Sequence, residues 1–156
     1  LSGLRSPVDD RRARGGWHNL SLSTTKADLV RSLLEGVACN TRWLHEHVEK
    51  FVGRRLDPVR FLGGGAVSDL WCQLHADVLD RRIERVDDPT TAQLRGAGLV
   101  AALALGALTD EQAAAAARID RVFEPDLAAH AVYAPVYAQF RKQYARQKGL
   151  ASALNA

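Results

Sequence analysis

The chain has 156 residues, of which 47% are hydrophobic, 25% charged and 6% aromatic. This length supports one ordinary hydrophobic core, and the composition excludes a disordered acidic chain and a collagen-like repeat. The net charge of +3 arises from 21 basic and 18 acidic residues. Because the two signs are interleaved along the chain, we expect no nucleic-acid partner.

The cysteines and the termini indicate where the protein resides. Cys39 and Cys72 lie within apolar helical patterns and lack metal-ligand spacing, which predicts free, buried thiols in a reducing, cytoplasmic compartment. The longest run without charge or histidine, 96–109, is shorter than the ~18 to 20 apolar residues of a membrane span, so no membrane partner is expected. The chain has no Met and begins with Leu1, so we expect a processed terminus or a fragment.

The first part of the chain predicts a loop, a short strand and a long helix. Glycine, proline and charge dominate 1–16, which is typical of a loop, and a short strand is predicted between 17 and 22. Thr25 and Asp28 have capping-box spacing, and the amphipathic helix that they open is expected to end near Gly53. The apolar stripe of this helix comprises Val30, Leu33, Leu34, Val37, Ala38, Thr41, Leu44, Val48 and Phe51.

A strand, a glycine-rich turn and a helix follow. The short apolar segment 59–62 runs directly into Gly63, Gly64 and Gly65, and Ser68 is a suitable cap for the next helix. Successive glycines let a ligand approach the backbone without Cβ atoms in the way. The free N–H groups at a helix start attract phosphate. The pattern favours an anion or nucleotide site, although such a turn also serves as a simple tight connection.

The rest of the chain predicts one more strand and three helices. Residues 83–86 are expected to form the strand, and a helix rich in Ala, Gly and Leu follows. Thr109 and Gln112 have capping-box spacing, which predicts a helix over about 110–119. The last helix is predicted over about 126–147. Alternation of strands and helices indicates an α/β layer fold with parallel pairing, weighted towards helix.

Two other site classes are not supported by the spacing of polar residues. His45 and His47 lie two residues apart on the predicted helix and point to different faces, so they cannot chelate a metal as an i, i+4 pair could. We therefore predict no metal site and expect both histidines to face solvent. A Ser-His-Asp hydrolase would need a G-x-S-x-G nucleophile elbow, and the sequence contains none.

Long strings of the sequence are similar to one family. GGGAVSDLWCQLHADVLDRRIERV at 63–86, followed by AQLRGAGLVAALALG at 92–106, resembles the carboxy-terminal domain of FGGY-family carbohydrate kinases, with xylulokinase-like members nearest. The opening LSGLRSPVDDRRARGG resembles the family segment GERSP…D..ARG, with Leu4 in place of its acidic residue. The closing stretch 122–144 also resembles the family's last helix, so the resemblance covers nearly the whole chain.

The resemblance implies a fold and a division of the chain. The fold would be α/β, of the ribonuclease-H-like type found in actin and sugar-kinase ATPases, here helix-rich and partial. Residues 1–149 would form the carboxy-terminal kinase domain without its first strands, and 150–156 a disordered tail. The amino-terminal kinase domain would be absent.

The same resemblance implies an activity. The full-length protein would transfer the γ-phosphoryl group of ATP to a hydroxyl of a small, xylulose-like sugar or polyol. The missing half would hold most of the Mg²⁺ contacts, the sugar and the general base. No catalytic residue is therefore assigned here, and the segment alone is expected to be inactive.

Six residues are implied to bind the nucleotide, and alternatives for two of them stay open. Ser68 also reads as a helix cap, and Asp69 as a first-turn carboxylate favoured by the helix dipole. The alternative function is a truncated, non-catalytic module that binds a nucleotide or a protein, whose uncovered apolar face would favour a homo-oligomer. The implied nucleotide-binding residues are Gly63, Gly64, Gly65, Ala66, Ser68 and Asp69.

Overall fold

The computed structural model describes residues 3–155. The chain divides into two compact units, Leu1–Arg55 with Leu127–Ala156, and Leu56–Asp126, where the sequence predicted one domain over 1–149. A single 3₁₀ turn, Gly64–Val67, lies between the first strand and the second helix. In chain order the elements are α1 (Lys26–Val52), β1 (Val59–Phe61), α2 (Asp69–Leu79), β2 (Ile83–Val86), α3 (Ala92–Ala104), α4 (Asp110–Ala115), β3 (Ile119–Phe123) and α5 (Leu127–Leu154).

The unit Leu56–Asp126 contains a three-stranded sheet in the order β1-β2-β3. β1 and β2 are parallel, with Phe61 opposite Arg85. β2 and β3 are antiparallel, with Arg85 opposite Arg121. The predicted parallel pairing is therefore correct for β1 and β2 only, because β3 enters the sheet from the opposite direction.

The core of this unit lies between the sheet and α2. Cys72 is a free, buried thiol, as predicted, and its Sγ donates to the carbonyl of Ala66 at 3.3 Å. Burial raises the pKa of this thiol, which keeps it protonated. The hydrogen bond from Cys72 to Ala66 joins the turn after β1 to the core. The buried cluster comprises Ala66, Cys72, Ala76, Ile83 and Phe123, with Val59 and Phe61 packed against it.

The unit that contains the chain ends is built on α1 and α5. The predicted capping box of α1 is present between Thr25 and Asp28, and the helix ends at Gly53 in a left-handed conformation. Polar and aromatic side chains join the two helices: Tyr133 Oη accepts from Arg31 at 2.9 Å, and Tyr137 Oη donates to Glu46 at 2.7 Å.

Three predictions of local structure were wrong. Residues 17–22 form no strand, because Asn19 has a φ of 62°, a left-handed conformation that interrupts an extended segment. The helix predicted over 110–119 ends at Ala115, and the β-branched and aromatic residues after it form β3. The last helix continues to Leu154, so 150–154 are helical where a disordered tail was predicted, and Ala156 lies outside the described residues.

No helix within residues 3–155 combines the length and hydropathy that a membrane-spanning segment requires.

Candidate functional site

The glycine-rich turn lies at one edge of the sheet. β1 ends at Phe61 and β2 at Val86, and because these strands are parallel their carboxyl ends meet at the same edge. The turn leaves β1 there and leads directly into α2. In α/β sheets, ligands bind in the crevice outside the carboxyl ends of the strands. The predicted site residues are therefore brought together at the edge where such a ligand would lie.

The absence of a side chain matters for a different reason at each of the three glycines. Gly63 has a φ of 92°, which a side chain would strain. A Cβ at Gly65 would lie 2.5 Å from Cζ3 of Trp71, whereas a Cβ at Gly64 would meet nothing within 4 Å. Gly63 permits the positive-φ backbone conformation of the turn, and Gly65 leaves room for the ring of Trp71. Gly64 borders open space where another molecule has room.

Two backbone donors of the turn are available to a ligand. The N–H of Gly63 donates to the carbonyl of Pro89 at 2.8 Å, and the N–H of Ala66 to the carbonyl of Gly63 at 3.1 Å. Among residues 3–155, the N–H groups of Gly64 and Gly65 donate to no backbone carbonyl outside the 3₁₀ turn. Ala66 is fully buried, so its side chain belongs to the core and only its backbone borders the turn.

Ser68 caps helix α2. Its Oγ accepts from the N–H of Trp71 at 3.3 Å, and α2 begins at the next residue. The predicted cap is therefore present. The Ser68 hydroxyl still carries a hydrogen that it can donate, so capping is compatible with a ligand contact.

Asp69 is held by two arginines that the sequence analysis did not identify. Its Oδ1 accepts from Arg85 Nη1 at 2.6 Å, and its Oδ2 from Arg121 Nη1 at 2.5 Å. Arg85 also donates to Asp120 through Nη2 at 2.5 Å. The arginines lie 16 and 52 residues away from Asp69 along the chain, so no short motif could have indicated the cluster.

Aromatic packing fixes the other side of the turn. His75 is almost fully buried, with its ring 4.6 Å from that of Phe61 and 5.6 Å from that of Trp71. Its Nδ1 donates to the carbonyl of Trp71 at 2.8 Å. Burial lowers the pKa of His75, which favours the neutral ring. Trp71 is thus held against Gly65.

The described residues do not fit a metal site of their own. Within 3–155 there is no group of three or more His, Cys, Asp or Glu side chains placed to hold an ion. His45, predicted to face solvent, is instead partly buried, with Nδ1 at 3.6 Å from Oε1 of Glu49. His47 is exposed, as predicted.

Comparison with known proteins identifies the family. The sequence profile of the FGGY family of carbohydrate kinases, C-terminal domain, matches residues 1–105, about two thirds of the chain. The chain belongs to the FGGY family of carbohydrate kinases. The predicted resemblance is confirmed.

Curated relatives show how much of such a protein this chain covers. It is 31% identical to a xylulose kinase of Staphylococcus epidermidis, over 99% of this chain and 31% of that protein. It is 37% identical to a glycerol kinase of Solidesulfovibrio magneticus, over 82% of this chain and 26% of that protein. The FGGY chain therefore spans about a third or less of these relatives.

Solved structures confirm the fold. A xylulose kinase from Rhodospirillum rubrum matches with a TM-score of 0.74 at 32% identity, over 90% of this chain and 28% of that one. A ligand-bound xylulose kinase from Lactobacillus acidophilus matches with a TM-score of 0.81 at 23% identity, over 98% and 31%. The predicted fold class, a helix-rich and partial ribonuclease-H-like domain of the sugar-kinase type, is confirmed.

Proposed function

We propose that this FGGY domain supplies one wall of the nucleotide site of an ATP-dependent carbohydrate kinase. The observation that carries the proposal is the open turn at Gly64, which lies between a parallel strand and a helix start in a chain of this family. The N–H groups of Gly64 and Gly65 and the positive end of α2 all favour a phosphate. The proposed nucleotide-binding residues are Gly63, Gly64, Gly65, Ala66 and Ser68, together with Asp69, whose part in the site is to hold Arg85 and Arg121.

The whole protein is proposed to transfer the γ-phosphoryl group of ATP to a hydroxyl of a small, xylulose-like sugar or polyol. The names of the relatives, xylulose kinase and glycerol kinase, support this substrate class. The general base and most of the Mg²⁺ contacts are proposed to lie outside this chain. The carboxylate of Asp69, which follows the turn, and that of Asp120 are already engaged by arginines.

Titration of the purified chain with ADP and ATP by calorimetry tests the nucleotide site. The variant Gly64→Val places a side chain in the open space and meets no protein atom at its Cβ. It should weaken nucleotide binding about tenfold or more, equivalent to ~1.4 kcal/mol, without lowering the melting temperature. The matched control is Gly149→Val, at a helical glycine whose added Cβ also meets nothing. If the unaltered chain binds neither nucleotide, the proposed nucleotide site in this segment is contradicted.

The substrate is tested separately, on the longer protein that carries this domain. Phosphorylated product would be measured with ATP and xylulose, glycerol or gluconate in turn. Preference for xylulose supports the xylulose-like proposal, and preference for another acceptor contradicts that part alone. The segment by itself is expected to form no product with any of the three.

A further inference from the structure

The two arginines beside Asp69 lie at the same sheet edge as the turn. The register places Phe61, Arg85 and Arg121 in one row across the three strands. Residues directly opposite each other in a sheet share a face. Both guanidinium groups reach Asp69 at the start of α2, so this row lies on the α2 side of the sheet. The cluster therefore sits beside the helix end that a phosphate would approach.

The two arginines differ in how firmly they are held. The Arg85 side chain is only 14% exposed and contacts both Asp69 and Asp120. Its pKa is raised, first by the hydrogen bond with Asp120. The Arg121 side chain is 55% exposed, and Asp69 is its one carboxylate partner within the described residues. Exposed single pairs contribute little to stability, so Arg121 is the member of the cluster that can change partner.

We propose that Arg121 exchanges its ion pair with Asp69 for one with the phosphate chain of the bound nucleotide. This inference rests on the proposed nucleotide function. A guanidinium binds phosphate through two parallel hydrogen bonds, and a phosphate carries more charge than a carboxylate. Asp69 keeps Arg85, which it shares with Asp120, as a partner throughout, so part of its charge stays compensated and its repulsion of the nucleotide is reduced.

The exchange also explains why a carboxylate is tolerated at this helix start. Asp69 occupies the first position of α2, where a negative charge is favoured by the helix dipole but competes with an incoming phosphate. In the free protein Arg85, Arg121 and Asp120 join Asp69 in a cluster without net charge. In this state the ion pair with Asp69 keeps the Arg121 guanidinium close to the site, and on binding the guanidinium pairs with the phosphate instead.

The test compares ADP with adenosine, which lacks phosphate, on the chain as it is. Arg121→Gln should raise the Kd for ADP about tenfold, as expected for a lost charge-assisted contact, and change the Kd for adenosine less than about twofold. The control is Arg60→Gln, at an arginine that is also 55% exposed and whose one ion pair among residues 3–155 is with Glu84 at 3.7 Å. Arg60 precedes Phe61 in β1, so it points to the opposite face of the sheet. This control removes the same charge and should leave both Kd values unchanged.

Three results would overturn the inference while leaving the nucleotide site intact. Arg121→Gln could leave ADP binding unchanged, or weaken ADP and adenosine equally, which would indicate a purely structural role. Asp69→Asn removes the competing carboxylate and should tighten ADP binding; weaker binding would show that Asp69 itself contacts the nucleotide. If the unaltered chain binds neither ligand, both the inference and the proposed function fail.

Discussion

Replacing Gly65 by alanine is expected to destabilise the domain through a clash with Trp71. The added methyl carbon would lie 2.5 Å from Cζ3 and 2.8 Å from Cε3 of that ring. Carbon atoms normally approach to about 3.5–4.0 Å, so the overlap is about 1 Å. The ring of Trp71 has little freedom to turn away, because it packs on the ring of His75 at 5.6 Å.

Overlaps of this kind cost ~1–3 kcal/mol in a packed site. For a chain of this size that corresponds to a melting temperature lower by about 2–12 °C. Gly64→Ala is the matched control, since it adds the same methyl group one residue earlier where nothing lies within 4 Å. Thermal unfolding followed by circular dichroism would compare the two. Equal melting temperatures for both variants would refute the assigned packing of Trp71 on the turn.

Three further outcomes follow from the same unit and from α1. Ser68→Ala removes the cap of α2 and should cost ~1 kcal/mol in urea unfolding; no loss would argue against the cap. The pKa of His75 is lowered in the folded state, so near and below pH ~6.5 the unfolded chain binds more protons than the folded chain. The free energy of unfolding should therefore decrease as the pH is lowered, by up to ~1.4 kcal/mol per pH unit. His75→Gln should remove that part of the slope, and an unchanged slope would contradict it. The thiol of Cys39 is buried, and its pKa is raised to about 11, so a disulfide reagent should label it only in urea; rapid labelling of the native chain would show that α1 opens.

Local chemistry made part of the fold predictable. The capping boxes at Thr25 and Thr109 and the cap at Ser68 are present as predicted, because each depends on residues only three positions apart. The strand before the glycines is also present as predicted. These features are decided within a few residues and need no knowledge of the rest of the chain.

Features that depend on distant partners were not predictable. β3 exists because Phe123 lies opposite Ile83 in the sheet, whereas its own sequence follows an alanine-rich helix without a proline or glycine to mark the boundary. The Arg85 and Arg121 contacts to Asp69 likewise depend on strand register. The six implied site residues came from a resemblance. The sequence alone does not distinguish the three glycines from one another. Only the structure separates the one that borders open space from the one that accommodates Trp71.

The apolar stripe of helix α1 is not fully covered by the described residues. This helix contacts α5 through Arg31, Trp43 and Glu46. Leu33 and Val37, which belong to its apolar stripe, are about half exposed. An amphipathic helix carries such a stripe where it packs on other apolar surface. The half-exposed stripe of α1 is therefore apolar surface that another partner could cover. A homo-oligomer remains a prediction, and the stripe on α1 is the face that it would bury.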